Sequence, residues 1–575
     1  MDIALISEKN AYPNVLRREI SGVDRGFWVQ ITDYTDAPME TESQSPMPME
    51  TETSSPADNL DDAFFSRPNN HQFKALMGND PGSSNGKMAS YLRLSSEDPF
   101  QNRNGCMQLV EDGHCRYFGA TSNLHLLPSG SLLNFQPGSS KLRAQQVEVL
   151  SRANLTWNGD HSYEQHLTHL FFAWHNSFIH AIDEAVYRHH QDQYANGMAT
   201  QLYSPALANA ILAMGSLYST RRCDKLPRLS GPEFFSRRAK ALLDLEMDSP
   251  TIATLQALLT LSSFELSQAR DSRGMAVQLL SDLGLLSEIQ PEHRNMPSDM
   301  DASEMKHYHE DLLWAVYCSD TLTSLTLGRP SSARSVLTYL GSSINVYETS
   351  DSLFEDDEYV GSLYNKEKQR RHPKLGPIAS LCTKAQAILD FLYSPNVSVH
   401  WEPGAFVGAM NRELQQWKAD LADGVVVEIN ADEGPPETYL PAAYELSLLF
   451  HTILILLHRP FLKPPQTRQE SVTLETTIPD SRAICQDSAL QICKLLSSFQ
   501  QQFTLRHTHT QVIHSVLTAG LVMAHPAFDK EVAASNNPHS GLLTCMQALG
   551  EMGQTFHSSI RALETLTMFR RESRV

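Results

Sequence analysis

The sequence predicts an all-α fold, a large multi-helix body preceded by a disordered acidic N-terminal segment. Three observations carry this prediction. From Tyr163 onward, apolar residues recur every three or four positions through most of the chain. Strand-like patterning is sparse, and its best instance, Val425-Val-Val-Glu-Ile, is short. Residues 1–65 hold 13 acidic and 4 basic side chains and show no period of either kind.

The first segment repeats Pro38-Met-Glu-Thr-Glu at Pro48-Met-Glu-Thr-Glu, a low-complexity duplication. Its net charge of −9 and few apolar residues leave too little burial to offset chain entropy, so disorder is expected. Asn79 to Asn85 is rich in Gly, Ser and Asn and reads as a linker. Gly82-Ser-Ser-Asn-Gly-Lys-Met resembles a phosphate loop only loosely, since it is one residue short and ends in Met88.

Order is expected from near Gly113. Tyr163, Leu167, Leu170, Trp174, Phe178 and Ile182 make one apolar stripe. Further helices are predicted over 204–220, 232–247, 251–269, 272–286, 303–327, 375–393, 402–421, 437–459, 479–500, 504–524 and 537–570. Residues 345–373 run from acidic to basic without a period and read as an exposed loop. The resulting division is a tail and linker over 1–112, a first helical half over 113–344, the charged loop over 345–373, and a second helical half over 374–575.

The most apolar run, Leu446 to Leu457, is interrupted by His451 and is too short to span a bilayer, so it reads as a core helix. No secretory leader and no membrane association are read. The net charge of −20 disfavours contact with nucleic acid phosphates outside a local basic module. No two of the eight cysteines form a C-x-x-C pair, which fits scattered reduced thiols.

No nucleophile elbow or dinucleotide fingerprint occurs, and neither a catalytic residue nor a cofactor is assigned. His161, His166, His169, His175, His180, His189 and His190 crowd one stretch. They offer the alternative of a helical ligand-binding protein or a metal-dependent enzyme built on helix 161–190. No H-E-x-x-H frame accompanies them, and His507 and His509, which flank Thr508, pose the same question. Trp157, Trp174, Trp314, Trp401 and Trp417 read as core anchors.

Two segments punctuate the middle of the chain. Arg273-Gly-Met-Ala-Val-Gln-Leu-Leu-Ser-Asp-Leu-Gly places an apolar face on a helix that ends at Leu283-Gly284. Asp311-Leu-Leu-Trp-Ala-Val-Tyr-Cys-Ser-Asp follows and closes on Gly328-Arg329-Pro330. Leu313, Val316, Tyr317, Asp320 and Ser324 share one side, so Asp320 needs a partner, and Arg329 is the nearest basic group in sequence. Leu283, Gly284, Leu313, Trp314, Asp320, Gly328, Arg329 and Pro330 together resemble the fungal-specific transcription factor domain, the middle regulatory region of Gal4-type zinc-cluster proteins. Arg116-Tyr-Phe-Gly-Ala-Thr-Ser, the stretch from His169 to Asp183, and Ile455-Leu-Leu-His-Arg-Pro-Phe-Leu are similar to other pieces of that family, in the same order. Trp314-Ala315 departs from the adjacent tryptophans common in the family.

The resemblance implies a fungal transcription regulator in the nucleus, controlling a metabolic or secondary-metabolite gene set. It implies partners among other transcription factors or coactivators, in homo- or heterodimers. The family's six-cysteine zinc cluster is not found in these residues, so no sequence-specific DNA binding is expected from this chain alone. Asp58, Leu60, Asp61, Asp62, Phe64 and Phe65 mix acid with bulky apolar groups, as activation segments do. Lys366, Lys368, Arg370, Arg371 and Lys374 form the one dense basic run, a candidate nuclear-import signal or an exposed loop that balances Glu355-Asp-Asp-Glu. Limited proteolysis should remove residues 1 to about 100 while a fragment beginning near residue 113 survives, and hydrogen-exchange protection across Pro38 to Pro56 would contradict this reading.

Overall fold

A computed structural model of the chain describes residues 106–109, 115–118, 139–198, 200–226, 229–270, 275–283, 285–286, 302–340, 376–393, 403–421, 424–427, 429, 439–462, 480–525 and 538–572. The charged loop and the expected tail and linker, apart from 106–109, lie outside them, as do Gly284, Trp401, the acidic-aromatic stretch 58–65 and the basic run 366–374. The chain divides into two units, 1–88 and 89–575. The described residues all belong to the second.

These residues are dominated by helix, as the sequence predicts. In chain order they form α1 (Ser139–Arg152), α2 (His161–Leu170), α3 (Glu184–Ala195), α4 (Pro205–Tyr218), α5 (Gly231–Glu246), α6 (Ile252–Ser267), α7 (Met275–Asp282) and α8 (Ala302–Leu327). There follow α9 (Arg334–Leu340), α10 (Gly376–Leu392), α11 (Pro403–Ala419), α12 (Pro441–His458), α13 (Ser481–Gln502), α14 (Val512–Ala524), α15 (Pro538–Met552) and α16 (His557–Glu572). One short hairpin precedes them, where β1 (Cys106–Leu109) pairs antiparallel with β2 (Cys115–Phe118). The hairpin was not foreseen, and Arg116-Tyr-Phe lies in its second strand. In the best strand candidate of the sequence, 425–429, the described residues 425–427 and 429 are bend and coil instead, with the Val427 N–H donating to Ser447 Oγ at 2.8 Å.

Caps start many of these helices where short polar residues stand. Asp160, Asp183, Ser204 and Asp480 accept from backbone N–H groups in the first turns of α2, α3, α4 and α13. Pro205 occupies the first position of α4, where its missing N–H costs nothing. Thr251 and Thr254 close a reciprocal capping box on α6.

Two apolar cores form. The first gathers α2, α4, α5, α13, α14, α15 and α16, and the second gathers α7 to α11. α6 and α12 belong to both. On α6, Ala253, Ala257, Leu261 and Phe264 face the first core, while Ile252, Leu255 and Leu259 face the second. On α12, Tyr444, Leu448 and Ile455 face the first, and Leu449, Phe450, Ile453 and Leu457 face the second. Each core therefore draws on residues from both sides of 345–373. With its short extension to Phe461, α12 is apolar and long enough by composition to cross a membrane, but 83% of its apolar window is packed inside the protein. Trp157 and Trp174 pack at the edge of the first core, and Trp314 and Trp417 sit in the second.

Three predicted helices are cut shorter. The stripe from Tyr163 ends at a π-turn over Phe171–His175, so Phe178 and Ile182 leave the helix. The helix expected from 504 begins at Val512, because a 3₁₀ turn over Leu505–His507 and an extended step intervene. Glu551 holds that turn by accepting from Thr504 Oγ1 at 2.8 Å and from Leu505 N–H at 2.9 Å. The long helix expected over 537–570 breaks between Met552 and His557, where buried Phe556 packs edge-on against Tyr218.

The motif around Asp320 proves to be a helix-to-helix junction. α8 ends at Gly328, whose φ of +65° is the left-handed conformation glycine adopts most easily. Arg329 N–H then reaches back to Ser324 O at 3.1 Å, the six-to-one bond of a Schellman stop. Asp320 Oδ2 accepts from Ser331 Oγ at 2.7 Å, Ser332 N–H at 2.8 Å and Ala333 N–H at 3.0 Å. These three donors to the carboxylate, which the sequence did not reveal, stand just ahead of α9. Leu313 and Trp314 are buried in the second core, Leu283 packs at its edge, and Arg329 and Pro330 are exposed.

Two substitutions check this architecture. Asp320→Ala should cost about 2 kcal/mol, because it removes the shared acceptor of three donors, and Asp320→Asn should cost less. Gly215 sits where α4 crosses α2, and a Cβ there would stand 2.0 Å from Leu167 O. Gly215→Ala should therefore cost at least about 2 kcal/mol. Urea unfolding followed by circular dichroism reads both, and an unchanged midpoint for either would refute the corresponding assignment.

Candidate functional site

The two cores meet along a seam of buried polar side chains, and the elements that build it explain its composition. The π-turn at the end of α2 inserts an extra residue, so Asn176 N–H bonds back to Phe171 O at 2.9 Å. Such turns frequently mark functional sites. This one carries Trp174 onto His507, stacked with ring centroids 4.7 Å apart, and His175 onto His509, stacked at 4.9 Å. Phe178 also packs against His509, with ring centroids 5.1 Å apart. The Asn176 amide then clamps the following loop, donating to Ile182 O at 2.8 Å and accepting from Ile182 N–H at 3.2 Å.

The opposite wall comes from α12 and the 505–511 segment. Glu445, on α12, accepts from His509 N–H at 2.6 Å. Gln511 N–H donates to His509 Nδ1 at 3.3 Å, which places the proton of the neutral ring on Nε2. Thr326 at the end of α8 donates to Gln511 Oε1 at 3.1 Å, and the Tyr218 hydroxyl donates to Thr508 O at 3.4 Å. From α6, Gln256 donates to Ala181 O at 2.8 Å and contacts Tyr308 Oη at 2.8 Å.

A small cavity remains where these walls face one another, bordered by His175, Asn176, Thr260, Ser263, Ser319 and His509. Its free volume of about 20 Å³ suits a water molecule. His175 Nδ1, on the cavity wall, lacks a hydrogen-bond partner among the described residues, as do Gln256 Oε1, Glu445 Oε2 and Gln511 Nε2 elsewhere in the seam. A buried donor or acceptor left unpaired costs about 1–3 kcal/mol, and a water that reaches such an atom recovers part of that cost.

Burial sets the charge states. It drives His175 well below the ordinary histidine value, with neighbouring His509 adding to the effect, and lowers His509 and His514 to about 4. It raises Glu445 to about 8, partly opposed by the His509 N–H. At neutral pH the seam thus holds neutral imidazoles and a largely protonated carboxyl.

The histidines of 161–190 do not converge. His161 bonds Gln165, His166 meets Ser219 Oγ at 3.1 Å, His189 bonds Gln193, and His190 meets Thr200 Oγ1 at 2.8 Å. Among the described residues, no three His, Cys, Asp or Glu side chains are grouped to hold a metal. Sequence reasoning missed the seam because its members come from six separate elements. One signal was present: Glu445 is a lone carboxylate near the start of a long apolar helix.

The pH dependence of stability divides between these groups. An unfolded histidine titrates near 6.5, so the contribution of neutral His509 is present above that pH and is lost as pH falls toward about 4. Glu445 acts in the opposite sense. Its ordinary value is 4.5 and its folded value about 8, so its contribution is present below 4.5 and is lost as pH rises through 8. Glu445→Gln should therefore gain stability relative to the parent chain on going from pH 5 to pH 8. Urea midpoints at the two pH values measure this, and an equal difference at both would exclude a titrating Glu445.

Comparison with known proteins gives this architecture a context. The profile of the family described as the fungal specific transcription factor domain matches residues 168–419, from the last turns of α2 through α11. The nitrogen assimilation transcription factor nirA of Emericella nidulans is 25% identical over 481 residues, covering 80% of this chain and 50% of that protein. The nitrogen assimilation transcription factor nit-4 of Neurospora crassa is 24% identical over 436 residues, covering 71% and 37%. A transcriptional regulatory protein of Schizosaccharomyces pombe, C757.04, is 22% identical over 434 residues, covering 71% and 63%. The chain spans about half the length of nirA and less of nit-4. No solved structure matches. The chain carries a fungal specific transcription factor domain at residues 168–419, and its relatives are fungal transcription factors.

Proposed function

We propose that the chain is the helical regulatory body of a nuclear transcription regulator that controls a metabolic gene set. The observation that carries this reading is the family match, which includes the α8–α9 junction built by Asp320, Gly328, Arg329 and Pro330. Two relatives named for nitrogen assimilation support a metabolic target set, with nitrogen metabolism the first to test. The partners of this reading are other transcription factors or coactivators, in homo- or heterodimeric assemblies. Residues 58–65 serve as an activation segment, and Lys366, Lys368, Arg370, Arg371 and Lys374 serve in nuclear import. Within the body, the seam joins both cores through α6 and α12, so it is the place where a small polar effector would act on the whole domain.

A fungal host supplies the test. The chain fused to an unrelated DNA-binding domain should change transcription of a matched reporter at least several-fold. A fluorescently tagged chain should concentrate in the nucleus and lose that concentration when Lys366, Lys368, Arg370, Arg371 and Lys374 are all replaced by alanine. An unchanged reporter together with a cytoplasmic tag would reject the reading.

A further inference from the structure

The first core contains sulfur chemistry for which a transcriptional role has no need. Cys493 on α13 and Cys545 on α15 face each other with their Sγ atoms 3.7 Å apart. Cys493 Sγ also lies 3.5 Å from Gly541 O, in the first turns of α15. A Cβ on Gly541 would come within 3.5 Å of that sulfur and 3.3 Å of Met523 Sδ. The glycine thus keeps a side chain out of the space beside the pair. α13 and α15 pack directly on each other, and α14 packs on both, so the two thiols are held in register by three helices.

We propose that Cys493 and Cys545 form a redox modification site, a dithiol that a hydroperoxide converts to a disulfide linking α13 to α15. A disulfide requires an S–S separation of about 2.0 Å, so the sulfurs must approach by roughly 1.7 Å, a distance within reach of side-chain rotation and a small helix shift. The two thiols are not equivalent. Cys493 is 7% exposed and Cys545 is fully buried. The Cys545 thiol draws the Cys493 thiol below its usual range, while Cys493 and burial push Cys545 well above it. Cys493 is therefore the member that ionises and reacts first.

The chemistry balances with the peroxide as the sole oxidant. The Cys493 thiolate attacks one peroxide oxygen, an S–O bond forms, the O–O bond breaks, and the departing hydroxide takes up a proton to leave as water. Cys545 sulfur then attacks Cys493 sulfur. The S–S bond forms, the S–O bond breaks, and the released oxygen leaves as a second water with the thiol proton. Two thiols lose two electrons and one hydrogen peroxide gains them.

Peptide mass mapping of the full chain decides the matter. The folded protein is treated with hydrogen peroxide, its remaining thiols are alkylated, and it is digested without reduction. A linked peptide pair containing Cys493 and Cys545, lighter by two hydrogens and separated by dithiothreitol, is the expected result. In Cys545→Ser the link should be lost, and Cys493 should instead be trapped as a sulfenic acid by dimedone. Alkylation of both Cys493 and Cys545 at an oxidant dose that oxidises Cys223 would overturn the proposal, as would Cys493 linked to a different cysteine. The wild-type mapping stands alone if Cys545→Ser does not fold.

Discussion

A helix that is apolar on every face must be covered on every face, and α12 imposes this requirement on the rest of the molecule. Its residues alternate between two cores rather than between core and solvent. α13 and α14 cover one side, and α10 and α11 cover the other. Several polar side chains on α12 find partners within the protein. Ser447 and Thr452 donate back to carbonyls four residues earlier, and His458 is held between Ser481 Oγ and Asn411 Oδ1. Removing either set of covering helices would expose a continuous apolar surface, so neither core forms without the other.

The same requirement accounts for the seam. Where two cores share helices, the loops that connect their layers are drawn inward, and their backbone and polar side chains must find partners away from water. The 505–511 segment meets that demand with Glu445, Tyr218 and Thr326, one from each of three helices. The result is a polar layer between two apolar ones, nearly satisfied internally and incomplete at a few atoms, one of them on the wall of a water-sized space. Such a layer has a direct energetic link to both cores, since displacing α6 or α12 at the seam moves residues in each.

How much of this is legible in the sequence depends on the range of the interaction involved. α4, α5, α6, α8, α10 and α11 carry their own boundary signals, and their predicted ends fall within about two residues of those observed. The π-turn at 171–175 is different, because an unbroken helix would satisfy the local pattern equally well. It forms where His175 and Trp174 meet rings from residues more than three hundred positions away. The break after Met552 likewise answers to Tyr218, and the early 3₁₀ turn answers to Glu551. α1 and α3 are mostly polar, so few apolar residues mark them in the sequence, and α9 is only seven residues long. The seam was hidden for the same reason, apart from Glu445.

The motif that carried the family resemblance acquires a physical meaning at this level. Leu313 and Trp314 fill the second core, as ordinary anchors would. Asp320, Gly328 and Pro330 instead govern how the chain leaves α8 and enters α9. Glycine takes the left-handed turn, proline cannot continue the helix, and a carboxylate from the preceding turns receives the free N–H groups just ahead of the next helix. One side-chain oxygen reaching over that junction meets two backbone donors and a serine hydroxyl at once. The spacing between Asp320 and the glycine is therefore set by the geometry of one helix reversal. It is a constraint on packing rather than on chemistry, and it positions α9 so that Val336 and Leu340 close the second core against α8.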